Sequence, residues 1–347
     1  MRLLRAAAAS AFVLFACGLY TLFPHNQPLL GQLYGAVAFN YTGAEFLWWT
    51  AAVYCGLLLA WHLVATDLGL TKSMRVFRII FEFLRSPPAV IRTGLGREDR
   101  VAVLATLVKV YFTPMMVMWL MGACVEAVSH VVAIAAESTA ADLYAVFNQH
   151  GFWIVMKTIF FVDLLVFTVG YLVEVPRLGN VIRSVEPTLL GWAAALLCYP
   201  PFNTVTGKIL GSQATDFPQF DHPTLHIGLN ALLLLLMAIY AWASVALGFK
   251  ASNLTHRGVI ATGPYALVRH PAYVCKNMAW WIGSIPAVSL AFGASPWQGL
   301  LAVASVASWN MLYVLRALTE ERHLRGVDGE YAVYAAQVRW RFIPGLY

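Results

Sequence analysis

The chain has 347 residues, 60% of them hydrophobic and only 12% charged, with a mean hydropathy of +0.68. A soluble domain is nearer a quarter charged, so this composition excludes a soluble enzyme, a disordered scaffold and a small secreted disulfide module. The expected class is an all-α, polytopic integral membrane protein, and the 12 Trp and 16 Pro suit that class because Trp gathers at membrane interfaces and lipid-embedded helices tolerate Pro.

A bilayer crossing takes about 20 mainly apolar residues. On that basis the sequence predicts eight spans, at 6–23, 44–67, 101–123, 152–173, 187–201, 225–248, 274–293 and 297–315. The first follows Arg2 and Arg5 as a signal peptide would. No clear small-residue cleavage site precedes the next polar loop, so it reads as a retained span. Between the second and third spans, Phe77, Ile80, Phe81 and Leu84 recur at helical spacing opposite Arg75, Arg78 and Arg85, and Pro87-Pro88 ends the run. This pattern predicts an amphipathic helix on the membrane surface, the alternative being a solvated connector with an apolar underside. The fifth span is the weakest, because its apolar core is short and runs into Tyr199-Pro200-Pro201.

With the N-terminus inside, every Lys and Arg except Lys109, Lys157 and Lys208 falls on the inner side. The positive-inside rule then places both termini in the cytoplasm. The same bias accounts for the net charge of +6 without a nucleic-acid partner. The absence of a targeting signal, the short loops and the Ala-rich start point to a bacterial inner membrane. The cysteines Cys17, Cys55, Cys124, Cys198 and Cys275 form no CxxC pair, so neither a zinc site nor a redox pair is signalled. His222 and His226 are four apart, but Pro223 lies between them and no third ligand is evident, so no metal is expected. Lys109 and Asp163 fall at similar depth in adjacent spans, either as an ion pair or as a grip on a substrate headgroup.

Composition shifts near residue 249, beyond which polar residues cluster at 249–277 and 316–347. Gly263-Pro264 is a turn signal. The residue before Pro271 is biased away from helix, which sets Arg269 and His270 at the mouth of the seventh span. The seventh and eighth spans are separated by a few residues and must form an antiparallel hairpin, bringing 316–323 beside 263–276. Arg316 and Glu320 share a helix face, and adjacent carboxylates at a membrane boundary attract a cation. Each half also has a plainer reading: headgroup anchoring by Tyr, Arg and His, and an i,i+4 ion pair in a solvated exit turn.

Taken together these residues form a pattern: Thr262-Gly263-Pro264-Tyr265, Val268-Arg269-His270-Pro271-x-Tyr273, Thr319-Glu320-Glu321, Gly329-Glu330-Tyr331-x-x-Tyr334, Val338-Arg339 and Ile343-Pro344-Gly345. Over residues 225–347 the chain resembles the isoprenylcysteine carboxyl methyltransferases and the related phospholipid methyltransferases. The resemblance implies a C-terminal methyltransferase core at 225–347, preceded by a multi-span region, 1–224, that is a candidate for acceptor binding. It also implies a membrane-embedded S-adenosylmethionine site without a Rossmann fold. In keeping with this the sequence has no GxGxxG, and Gly94-x-Gly96 stands alone in a basic loop.

By the same resemblance Gly263, Pro264, Tyr265, His270, Pro271 and Tyr273 line one side of the cofactor site, and Glu320 and Glu321 close the other. Arg269 or His270 suits the cofactor carboxylate, and Arg316 coincides with an arginine the family uses near the substrate carboxyl. The implied catalytic residues are therefore Arg316, Arg269 and His270. The implied reaction is methyl transfer to a lipophilic small-molecule or lipid acceptor at the cytoplasmic face, with carboxyl O-methylation favoured over N-methylation because of Arg316. An amine acceptor would need a base, for which His270 or Glu321 stands ready. Lys276-Asn277 departs from the pattern, since relatives often carry Gly soon after the Tyr. Two rivals are an NADPH-dependent sterol-type reductase, which carries a similar Arg-His-x-x-Tyr segment, and a non-catalytic transporter or assembly factor. Gly263-Pro264-Tyr265 and the lack of a Gly-Asp after Arg-His count against the first, and the intact His270, Tyr273, Glu320 and Glu321 against the second.

Overall fold

The computed structural model describes residues 1–36, 39–65, 70–136, 142–211 and 213–346. It is 78% helical. In chain order come α1 (Arg2–Leu22), α2 (Gln27–Gly31), a hairpin of β1 (Leu33–Ala36) and β2 (Phe39–Thr42), α3 (Gly43–Val64), α4 (Lys72–Arg85), α5 (Pro87–Thr93) and α6 (Arg97–Ala136). Next, α7 (Leu143–Val146) leads through a π-helical turn (Phe147–Gly151) into α8 (Phe152–Leu172). The chain continues with β3 (Ser184–Val185), α9 (Leu189–Leu196), α10 (Phe202–Leu210), α11 (Pro223–Leu247), β4 (Thr255–His256), α12 (Pro271–Ala294), α13 (Pro296–Val327) and α14 (Gly329–Gln337).

Local chemistry explains many of the helix starts. Thr42 and Glu45 form a reciprocal capping box at α3, satisfying backbone N–H groups that the first turn leaves without partners. Thr71, Asp142, Thr188, Ser295 and Asp328 cap α4, α7, α9, α13 and α14 through their side-chain oxygens. Among the described residues six helical stretches are long and apolar enough to cross a membrane: 2–22, 43–64, 97–136, 143–172, 223–250 and 296–327. The chain is a helical membrane protein.

Six is fewer than the eight predicted, for two physical reasons. The fifth expected span contains only α9, whose eight residues reach about 12 Å against a hydrocarbon core of about 30 Å. The seventh is a helix of ample length, α12 at 24 residues, but Lys276, Asn277 and two serines dilute its apolar character. Residues 66 and 67 of the second expected span lie outside the described residues. The eighth runs on beyond expectation: α13 continues for 32 residues, so Arg316, Glu320 and Glu321 are helix positions and not part of an exit turn.

The chain divides into two compact units. The first comprises residues 1–121, 168–185 and 255–257. In it α4 lays Phe77 against Phe12 of α1, with ring centroids 4.8 Å apart. Arg78 pairs with Asp99 at 2.7 Å, while Ile80, Phe81 and Leu84 stay exposed, so the amphipathic helix exists with most of its apolar face uncovered. Lys109 does not take Asp163: it pairs with Glu174 at 2.8 Å, and Lys72 binds the same carboxylate. Burial alone would raise the Glu174 carboxyl, but Lys109 and Lys72 outweigh it and hold the group well below the usual carboxylate range.

The second unit comprises 122–167, 186–254 and 258–347. Its core gathers Phe152 and Met156 of α8, Leu233, Leu236 and Met237 of α11, and Cys275, Ala279 and Ile282 of α12. One close approach depends on a glycine: a Cβ on Gly283 would stand 2.3 Å from the Thr215 carbonyl oxygen, while Thr215 N–H donates to the Gly283 carbonyl at 3.1 Å.

Two predictions follow from these contacts. Gly283→Ala must push the 213–222 loop off α12, at an expected cost of about 1–3 kcal/mol, read as a lowered thermal midpoint in detergent; an unchanged midpoint would show that the loop yields freely. The lowered Glu174 pKa contributes stability that is complete above the unfolded carboxyl value of about 4.3 and is lost as pH falls towards the folded value. Thermal midpoints measured from pH 7 to 3 should therefore fall more steeply below about pH 4.3 in wild type than in Glu174→Gln, and parallel curves would refute that assignment.

Candidate functional site

The site lies in the second unit, where α12 and α13 form the expected hairpin. Gly263 and Pro264 open a short 3₁₀ turn, Gly263–Ala266, and Gly263 takes φ +60°, a left-handed conformation costly for residues with a Cβ. The Tyr265 carbonyl accepts from the Tyr334 hydroxyl at 2.8 Å, and Tyr331, Tyr334 and Val338 pack beneath Val259 and Tyr265. Burial pushes the Tyr334 phenol up to about 12, so it acts as a neutral donor. Residue 270 is the N-cap of α12 and Pro271 its first residue, the helix position that Pro suits best.

Arg269, His270 and Glu321 are all buried and bind one another. Arg269 Nε donates to Glu321 Oε1 at 2.8 Å, and Nη1 donates to the carbonyls of Val338 and Arg339, each at 2.8 Å. Backbone N–H groups of 269 and 270 donate to the carbonyls of Trp340 and Arg341, both at 3.0 Å. His270 Nε2 stands 3.2 Å from Glu321 Oε1; an ionised carboxylate only accepts, so the ring carries a proton on Nε2. Arg341 donates to both oxygens of Glu321, at 3.0 and 3.1 Å. Three of these donors fall on Oε1 and one on Oε2, which also faces Arg325 at 3.7 Å, so both oxygens of Glu321 are engaged within the chain.

Glu320, the next residue, is used differently. Its side chain is 30% exposed against 3% for Glu321. Oε1 accepts from the Tyr273 hydroxyl at 2.5 Å and from Arg316 Nε at 3.3 Å, while Oε2 faces His270 Nδ1 at 3.9 Å. Lone pairs remain on Oε2. His270 stacks on Tyr273 with ring centroids 5.3 Å apart.

Arg316 is buried inside an aromatic enclosure. Its guanidinium carbon lies 5.7, 5.2 and 6.0 Å from the ring centroids of Tyr199, Tyr273 and Tyr313, and Nη2 donates to Asn253 Oδ1. Among the described residues Nη1 has no hydrogen-bond acceptor. Along the same hairpin, Lys276 Nζ lies 5.4 to 5.7 Å from the ring centroids of Trp280, Tyr240 and Tyr313. Asp163 accepts from the Tyr240 hydroxyl at 3.1 Å and from Ser244.

All of the sequence-derived site residues therefore fall in one unit, and His270, Tyr273, Arg316, Glu320 and Glu321 meet directly. Gly263, Pro264 and Tyr265 sit in the adjoining turn. Sequence reasoning missed Tyr199, Asn253, Tyr313 and Arg341. Tyr199 had a visible signal, the Tyr-Pro-Pro segment that breaks the fifth apolar run, and Asn253 lies in the polar stretch after 249. Tyr313, inside an apolar helix, and Arg341, one arginine among several in the tail, carried none. Of the pair His222 and His226, His226 is fully buried with Nε2 2.6 Å from Asn148 Oδ1; the described residues hold no cluster of three metal-ligating side chains.

Comparison with known proteins finds no family model, curated relative or solved structure that matches the chain.

Glu321→Gln removes the negative charge that the buried Arg269 and the half-buried Arg341 share and turns one accepting oxygen into a donor, and stability should fall by on the order of 3 kcal/mol. Glu320→Gln, at the more exposed neighbour, should leave the thermal midpoint within a degree or two. Equal effects from the two substitutions would show that the carboxylates are not divided between structure and cleft.

Proposed function

We propose that this protein is an S-adenosylmethionine-dependent methyltransferase acting on a lipophilic, membrane-resident acceptor at the cytoplasmic face. The observation that carries the reading is the division between adjacent carboxylates. Glu321 is consumed in holding the hairpin mouth to the C-terminal segment. Glu320, 30% exposed, keeps accepting capacity beside Tyr273, His270 and Arg316.

The residues present fit the cofactor's chemistry. Free lone pairs on Glu320 suit an amine or ribose hydroxyls, and the face of Tyr273 suits a sulfonium, at about 0.5–2 kcal/mol. Arg269 has three of its five N–H donors committed within the chain and Arg316 two, so Arg316 has the larger share of donors for a ligand. The cofactor supplies a methyl group on a cationic sulfur, so a carboxylate acceptor needs no base. The protein's share is alignment and exclusion of water, for which well-oriented reactants gain about 7–11 kcal/mol. The placement of Arg316 favours a carboxyl oxygen over an amine as acceptor. His270, whose Nε2 proton is tied to Glu321, would serve an amine acceptor through Nδ1.

In this reading the chain crosses a bacterial inner membrane eight times with both termini cytoplasmic. α12 makes the seventh crossing beside α13. The fifth is made in two pieces, α9 and α10, a break that a bilayer tolerates where protein surrounds it. Thr206 of α10 donates to the Leu197 carbonyl at 3.1 Å, and Trp309 of α13 donates to the Gly211 carbonyl at 2.8 Å, so groups freed near that break find partners.

Calorimetric titration of the detergent-purified protein tests the reading. Wild type should bind S-adenosylmethionine, and Glu320→Gln should weaken binding roughly 10- to 100-fold, as loss of a hydrogen bond to a charged group does. Wild type that is folded yet takes up NADPH in its place would transfer the assignment to a reductase, and silence towards both cofactors would end the enzymatic reading.

A further inference from the structure

Lys276 is a feature of this hairpin that the methyltransferase pattern does not account for. An ammonium carries three N–H donors and is strongly hydrated. Among the described residues Lys276 makes no hydrogen bond and no ion pair; its neighbours are the rings of Tyr240, Trp280 and Tyr313. Asp163 is the carboxylate that acts on it electrostatically, but both oxygens of Asp163 already accept from Tyr240 and Ser244. Lys276 is half-buried, and aromatic faces return only about 0.5–2 kcal/mol to a cation, less than a full set of hydrogen-bond acceptors would. An ionisable side chain kept at that cost inside a membrane helix pair marks a functional position.

Its placement indicates what it would bind. Lys276 lies three residues along α12 from Tyr273, a rise of about 4.5 Å, and therefore one step further into the hairpin than the Glu320 cleft. Tyr313 is shared: Lys276 and Arg316 both lie within 6.0 Å of its ring centroid. Arg316 brings the unused Nη1 donors and Lys276 its three, so two cations with open donors border a single aromatic wall. The cofactor's cationic parts have no use for such a place. An oxyanion does.

We propose that Lys276 is a specificity-determining residue that, together with Arg316, holds the anionic headgroup of the lipophilic acceptor, a carboxylate or phosphate on an apolar chain. The inference rests on the reading that this cleft admits an acceptor, and it adds the charge by which the acceptor is chosen. Lys276 is half-buried beside three aromatic rings, so an ionic contact there is less screened than the same contact at the open surface. Neutral analogues of the same chain length gain nothing from it and leave the open donors of Lys276 and Arg316 Nη1 unfilled.

The test is a fluorescence titration of cis-parinaric acid and its methyl ester against the full-length protein in lipid nanodiscs at pH 8. Wild type should bind the acid at least tenfold more tightly than the ester. Lys276→Met, which preserves the aliphatic stem inside the cage, should bring that ratio close to one, and Lys276→Arg should restore most of it. Displacement of the probe by lysophosphatidic acid better than by palmitate assigns a phosphate headgroup, and the reverse order assigns a carboxylate. Equal binding of acid and ester by wild type overturns the proposal. So does a ratio that survives in Lys276→Met, or a loss of acid and ester binding together in both variants, which would mark Lys276 as structural. The acid-to-ester ratio needs no cofactor, so a failure of S-adenosylmethionine to bind wild type would count against the methyltransferase reading alone.

Discussion

One buried carboxylate ties together three stretches of chain that lie far apart in sequence. Glu321, on the last turns of α13, accepts from Arg269 and His270 at the start of α12 and from Arg341 in the C-terminal segment. A charge removed from water is tolerated only when it is paired and hydrogen-bonded, and here four donors converge on it. The arrangement fixes the angle between the helices at the hairpin mouth. It also fixes the path of residues 338–341, whose carbonyls take the remaining donors of 269 and 270.

The cleft follows from that anchor. Consecutive residues on a helix point about 100° apart, so once Glu321 is turned towards the C-terminal segment, Glu320 must turn away from it. It then faces Tyr273 and Arg316. Arg316 sits one turn earlier on the same face as Glu320 and is held among tyrosines from α12, α13 and the segment before α10. The polar groups are thus ordered along the hairpin: a carboxylate near the mouth, an arginine one turn further along, and beside them a half-buried lysine among aromatic rings.

Much of this was legible in the residues themselves. Apolar runs of sufficient length announce membrane helices, and turn chemistry at Gly263-Pro264 and Pro271 announces where α12 starts. A connector of a few residues forces an antiparallel pair, which suffices to bring 263–276 and 316–323 together. Other parts were not legible, because they depend on which way a helix faces. Lys109 and Asp163 have matching depth in the sequence, yet Glu174 takes the first, and the second fills with Tyr240 and Ser244. Arg341 and Tyr313 have no local signature at all. A lone arginine in a tail and a tyrosine in an apolar helix gain their roles only from what packs against them.

Composition and pattern by themselves determined the class of molecule, the near-complete helicity, the hairpin and the set of residues at its mouth, because hydrophobic length, proline geometry and connector length act locally. Tertiary structure alone decided the work of each charge. Two neighbouring glutamates of the same chemistry differ tenfold in exposure, 30% against 3%, and only the identity of the donors in reach separates a structural clamp from a group that can still meet a ligand. It also decided that α9 is too short to cross unaided, since helix length depends on where the chain finds backbone partners and not on apolar content alone.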